Sequence, residues 1–239
     1  MLLHCGKEDG GCWLRAATLD SVAELNELGL ALLAEQSAVR CGGAGALQPL
    51  GELWRALDGA ARRRAAACPY LLLDAGFGDP ARWRPAPGAS QVGDAATERY
   101  ARYFTVPSAT EVARLVFFYA WHLSRSQPVA ARLLLGMAPA SVASISRHTL
   151  RQIQELAEAH PEWLRPRWAA RVQVWRELLL AAGSGEPLQL ERARLRGLTL
   201  LAAEVRHASA RCRPGADLSA AVDLSVAAPY RQAERRAGV

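Results

Sequence analysis

Residues 108–125, Ser108-Ala-Thr-Glu-Val-Ala-Arg-Leu-Val-Phe-Phe-Tyr-Ala-Trp-His-Leu-Ser-Arg125, decide the fold class. Ser108 and Glu111 have the spacing of a capping box, in which hydroxyl and carboxylate satisfy free amides at a helix start. Behind them Val112, Leu115, Val116, Tyr119 and Leu123 recur on one helical face, while Phe117, Phe118 and Trp121 populate the others. A helix apolar nearly all round must be covered on every side, in a domain centre or between subunits. It therefore reads as the heart of an all-α protein, with Val116, Tyr119 and Leu123 as core or dimer residues. His122, on the same helix, reads as a core histidine rather than a base or a ligand.

Downstream, proline and glycine mark the next elements. Pro128 restarts a helix through Leu133-Leu-Leu135, and Gly136 fits a left-handed stop with Leu135 and Met137 packed beside it. Pro139 opens a short helix to about Ser146. Thr149 caps another, with Leu150, Ile153, Leu156 and Ala157 inward, and Pro161 ends it. Pro166 starts a helix with Trp168, Val172, Trp175 and Leu179 in one stripe, up to a hinge at Gly183-Ser-Gly185 and Pro187. The last helix covers about Leu188 to Ala210, with Leu195, Leu198, Ala202 and Val205 as its apolar face. Beyond Pro214 the spacing predicts a frayed tail, residues 214–239.

Upstream, Thr18 or Asp20 can cap a first helix bearing Val22, Leu25, Leu28/Gly29 and Leu32/Leu33, closed by the Cys41-Gly-Gly-Ala-Gly45 loop. A second helix runs from about Leu47 to Leu57, and Asp58 caps a third through Arg62-Arg63-Arg64 to Cys68. Pro69 fits the first turn of a short helix from Tyr70 to Ala75; a buried strand is the alternative for Tyr70-Leu-Leu-Leu73. Residues 79–106, rich in Pro, Gly and charge, read as a linker. The expectation is a helical N-terminal domain over 1–105 and a second helical domain over 107–213.

Charge supports that division. Residues 1–112 carry 11 Lys/Arg against 13 Asp/Glu, whereas 113–213 carry 15 Arg against 7 Glu. The chain is +6 overall, and Lys7 is its one lysine. The guanidinium fork suits phosphate and carboxylate recognition, although so much Ala, Arg and Gly also follows from GC-rich coding. A basic half implies an acidic partner, nucleic acid or protein. The candidate DNA contacts are Arg192, Arg194 and Arg196 at the start of the last helix, Arg206 and Arg211 farther along, and Arg165, Arg167 and Arg171 around Pro166. The alternative for all of them is a solvated helix face. Ser146-Arg-His-Thr-Leu-Arg151 would suit the start of a recognition helix, but no glycine marks the turn, and a compact helical hairpin is the alternative.

Catalytic chemistry is not written in any local motif. Gly6-Lys7-Glu-Asp-Gly10-Gly11 lacks the spacing and preceding strand of a P-loop, and no G-x-S-x-G, H-E-x-x-H or dinucleotide glycine pattern occurs. The expectation is a non-enzyme without cofactor or metal; a site assembled from scattered residues is the remaining enzymatic route. The five cysteines, Cys5, Cys12, Cys41, Cys68 and Cys212, form no C-x-x-C pair and suit a reduced cytosol. The N-terminal residues are too charged for a signal peptide, and Leu115–Leu123 is too short for a membrane span. A cytoplasmic protein without a membrane partner is expected.

Ala120 through Trp168 resembles, without gaps, the core of FlhD, the dimeric helical subunit of a flagellar transcription activator. The likeness rests on Ala120, Leu123, Ala131, Leu135-Gly136-Met137, Thr149-Leu150, Gln152, Leu156-Ala157-Glu158 and the Arg167-Trp168 pair. After an insertion spanning the Gly183–Gly185 hinge, Gly197-Leu-Thr-Leu-Leu201 is similar to that family's late helix. The likeness covers about residues 113–206. It implies an intertwined all-helical homodimer that joins an FlhC-like partner and promoter DNA in transcription regulation. FlhD proteins are about half this length, and residues 1–105 resemble no part of them. FlhC carries a zinc site in that family, and no cysteine cluster for one occurs here. A helical adaptor without nucleic-acid binding, anchored by Trp163, Trp168 and Trp175, is the second reading.

Overall fold

A computed structural model gives the fold and describes residues 14–39, 47–84 and 103–211. Among the described residues nine α-helices follow one another: α1 (Ala16–Val39), α2 (Gly51–Ala56), α3 (Gly59–Ala66), α4 (Ser108–Ser126), α5 (Pro128–Leu135), α6 (Pro139–Ile145), α7 (Leu150–Ala159), α8 (Val172–Ser184) and α9 (Pro187–Arg211). Short 3-10 turns occupy Gln48–Leu50 and Pro161–Trp163. Two two-residue strands, β1 (Leu73–Asp74) and β2 (Arg165–Pro166), pair antiparallel with Leu73 opposite Pro166. The protein is thus mostly helical, as the periodicity requires.

Helix α4 is the central element, packed by α1, α5, α6, α7 and the Pro161–Trp163 turn. Val116, Phe117 and Ala120 lose all solvent contact, and Leu123 nearly all. The cover its apolar surface demands is supplied within one subunit, so this helix does not itself call for a second copy. Tyr119 is half-buried and donates its hydroxyl to the Thr18 carbonyl at 2.8 Å. Two expectations for this helix are corrected. His122 is exposed rather than in the core. The Ser108 box is not formed: Pro107 is the cap residue, Ser108 donates to Glu35 of α1, and Glu111 pairs with Arg114 at 2.9 Å. Contact with α1 outcompetes the local cap.

The core does not divide where composition and charge change. Leu30 and Leu33 of α1, Trp54 of α2, Phe117 of α4, Trp175 of α8 and Leu201 of α9 belong to one buried cluster. Helix α1 lies on α4, and α3 lies on α8. Trp83, Phe104 and Val106, in the described parts of the expected linker, are buried in the same cluster.

Residues 70–75 are not helical: bends at Tyr70 and Leu72 lead into β1, so of the strand alternative for Tyr70–Leu73 only Leu73 is in a strand. What keeps the run out of a helix is Asn26, fully buried on α1. Its amide donates to the carbonyls of Ala66 and Tyr70 at 3.0 and 2.9 Å, and its oxygen accepts from Leu72 N–H at 2.7 Å. A buried backbone needs such partners, and here one side chain supplies them. Elsewhere local signals act as expected. Asp58 caps α3 by accepting from Ala61 N–H at 2.6 Å. Thr149 and Gln152 form a reciprocal capping box on α7. Gly136, at φ 67°, ends α5 in the left-handed region, with Leu135 and Met137 fully buried on either side.

Three core expectations shift. Leu150 is 55% exposed, because the first position after the Thr149 cap points outward; Ile153 and Ala157 are buried instead. Helix α8 begins at Val172, since Pro166 is consumed by β2 and Trp168 adopts φ 54° in the turn between. Helix α9 buries Leu190, Ala193, Leu201 and Ala208, while Leu195 is 52% and Leu198 37% exposed. Gly197 sets that rotation: the Tyr70 ring lies directly on it, where any Cβ would overlap.

Candidate functional site

The candidate arginines sort by what the fold does with them. Arg167 is only 2% exposed and is corrected from a DNA contact to an internal clamp. Its Nε donates to the Leu71 carbonyl at 2.9 Å, Nη2 to the Leu135 and Leu73 carbonyls at 2.7 and 3.3 Å, and Nη1 to Glu204 at 2.8 Å. The other Glu204 oxygen accepts from the Trp168 indole at 2.7 Å. One guanidinium thus joins the Tyr70–Ala75 run, the end of α5 and the middle of α9. A planar fork with five donors is suited to this, and an ammonium is not.

Arg165 meets Asp74 across the β1–β2 pair at 3.1 Å. Burial pushes the Asp74 carboxyl up, but the Arg167 and Arg165 charges, with the Phe77 N–H, outweigh it and hold the carboxyl below its ordinary value. A depressed carboxyl binds protons more readily unfolded than folded, so its stabilisation is complete above the ordinary carboxylate range and is lost as pH falls through the folded value. Asp74→Asn is therefore expected to lower stability at neutral pH and to flatten the acid limb. Denaturant midpoints measured from neutral to acid pH check this; an unchanged acid slope would contradict it.

Arg196 pairs with Glu177 of α8, and Arg194, half-buried, donates to the Arg64 carbonyl at 3.1 Å. The side chain of Arg211 lies outside the described residues. Arg171, Arg192 and Arg206 are exposed and make no ion pair among the described residues. In the Ser146–Arg151 segment His148 is buried with Nδ1 2.9 Å from the Ser144 carbonyl, Arg151 pairs with Glu155 at 2.8 Å, and the flanking α6 and α7 both pack on α4.

Of the three tryptophans Trp175 lies in the core, and Trp163 and Trp168 are half-buried against it. Trp175 is 1% exposed and donates to the Arg167 carbonyl at 2.8 Å. Trp163 is half-buried between the His160 ring, stacked at 4.4 Å, and Trp83. Trp168 meets the Tyr70 ring edge at 5.6 Å. Cys68 is sealed beside Tyr70, and burial pushes its thiol up to about 11, which keeps it protonated and unreactive. The described residues contain no group of three His, Cys, Asp or Glu able to hold a metal ion, and no helix long and apolar enough to cross a membrane.

Asn26 and Glu204 are structural residues absent from the expectations above, and Gly197 entered them only through the FlhD resemblance. Asn26 carried a signal as an amide in an apolar stripe, and Gly197 as a glycine inside a helix. Comparison with family models, with curated proteins and with solved structures gives no match. The residues behind the FlhD resemblance are placed unevenly, with Leu150 and Glu158 exposed. Ala120, Leu123, Ala131 and Ala157 are buried, Thr149 and Gln152 make the cap, and Arg167 and Trp168 share Glu204 of the late helix.

Proposed function

We propose that the chain is an FlhD-like, transcription-associated regulatory protein of the cytoplasm that acts mainly through protein contacts. In this reading it forms a homodimer, takes an FlhC-like partner, and adds phosphate contacts from Arg171, Arg192 and Arg206. The observation that carries it is the proximity of the two FlhD-like stretches: Arg167 and Trp168 from the first grip Glu204, on the same helix just beyond the second. Gly136, from the first, leaves no room for a Cβ beside Leu201 of the second. Resemblance and packing therefore pick out one shared centre.

Molar mass in solution tests the dimer, and a strict monomer would reject the family reading. Binding to duplex DNA across a salt series tests the phosphate contacts. Replacing Arg171, Arg192 and Arg206 together by alanine should shallow the slope of log K against log salt by about 0.9 for each phosphate contact removed. Salt-insensitive or undetectable binding would leave the second reading, a helical adaptor without nucleic-acid binding. That reading is favoured by the engagement of Arg165, Arg167, Arg194 and Arg196 inside the protein.

A further inference from the structure

Helix α9 turns a row of apolar side chains outward. Leu188, Leu195, Leu198, Ala202 and Val205, with Glu191 among them, follow one another in alternating steps of three and four residues. Leu188 is 73%, Leu195 52% and Leu198 37% exposed, Ala202 is exposed and Val205 half-exposed. Alternation of three and four is the spacing of a seam that receives another helix, because it holds apolar residues on one line of contact. The helix's opposite side is already spent on the core through Leu190, Ala193, Gly197 and Leu201.

The borders of this row are basic. Arg192 and Arg206 stand exposed on its outward edge. On the other edge stands the guanidinium of Arg194, half-buried and donating to the Arg64 carbonyl. A second copy of the same helix would set arginine against arginine at these borders, which opposes pairing. A helix with acidic flanks would meet them with opposite charge.

We infer that the outward row of α9 is a docking seam for an amphipathic helix of a partner protein, apolar along one stripe and acidic on both flanks. This deepens the protein-contact side of the proposed function and needs neither its dimer nor its DNA. The test uses the full chain and a labelled synthetic helix of about four heptads, leucine at a and d and glutamate at e and g. A matched peptide carries lysine at e and g.

Fluorescence anisotropy should show the glutamate peptide binding, with affinity falling as salt screens charges over about 10 Å at 0.1 M, and the lysine peptide not binding. The double variant Leu195→Glu, Leu198→Glu, at exposed positions that leave the unfolding midpoint near its original value, should weaken binding at least tenfold. Arg192→Glu with Arg206→Glu should transfer preference to the lysine peptide. Equal binding of both peptides, binding of neither, or binding that survives the leucine substitutions overturns the seam. So does a molar mass that drops from dimer to monomer in the leucine variant with no peptide binding, which assigns the row to a second copy. Failure here with salt-dependent DNA binding intact rejects the seam alone; peptide binding by a strictly monomeric chain that ignores DNA rejects the regulator alone.

Discussion

Arg167→Met should unfold the protein far more readily than its parent, by roughly 3–5 kcal/mol, the cost typical of removing one partner of a buried charged network. Methionine keeps the aliphatic stem and much of the volume while removing the guanidinium, so a cavity does not explain most of the loss. What remains behind does: the carbonyls of Leu71, Leu73 and Leu135, all held in the interior, lose their donor together. Each unpaired buried acceptor costs about 1–3 kcal/mol. Arg167→Lys should recover little, since one ammonium cannot reach Leu71, Leu135 and Glu204 at once. Glu204→Gln should be milder, because Glu204 is 41% exposed and water can replace part of what is lost. Guanidinium titrations of the three variants measure this order. An Arg167→Met protein within about 1 kcal/mol of its parent would show that the clamp is dispensable.

The second large effect is Gly197→Ala, and its sign is what makes it informative. Inside a helix this change ordinarily stabilises by about 0.5–1 kcal/mol. Here the new methyl would overlap the Tyr70 phenol, and Tyr70 is 1% exposed with Trp168 against its edge. The ring has nowhere to go, so α9 must lift from the Tyr70–Ala75 run and strain the Arg167–Glu204 bond. Overpacking of this kind costs about 1–3 kcal/mol. Tyr70→Phe removes the atom nearest the intruding methyl but not the ring, so the double variant should regain only part of the loss. Thermal unfolding of the two single variants and the double completes the cycle; additive effects would mean that the two residues do not touch.

How far the fold was legible follows from the range of the forces involved. Among signals a few residues long, the Asp58 and Thr149 caps and the Gly136 stop read correctly, whereas the Ser108–Glu111 box was lost to contact with Glu35 of α1. The Tyr70–Ala75 run could not be assigned, because a short apolar run is resolved only by what lies opposite, and Asn26 is 44 residues from Tyr70. The face of α9 was misplaced for a related reason. Apolar spacing alone selects the row at 195, 198, 202 and 205, whereas the helix docks through Leu190, Ala193, Leu201 and Ala208, with Gly197 under the Tyr70 ring. Sequence pattern marked the arginines of the second half as available charge. Burial decided otherwise for Arg167, and neighbours on other elements engaged Arg165, Arg194 and Arg196.

The β1–β2 pair is four residues in all, yet it joins positions 91 residues apart, with Arg165 answering Asp74. During synthesis, at about 5–20 residues per second, the Leu71–Leu73 edge must wait on the order of 5–20 s for its mate to be made. Throughout that interval the nascent chain presents three leucines whose carbonyls still lack the Arg167 donors, a template for mispairing with neighbouring chains. The first half of this protein is therefore the part that should lean on chaperones in the cell, and its demand should end when Arg167 emerges.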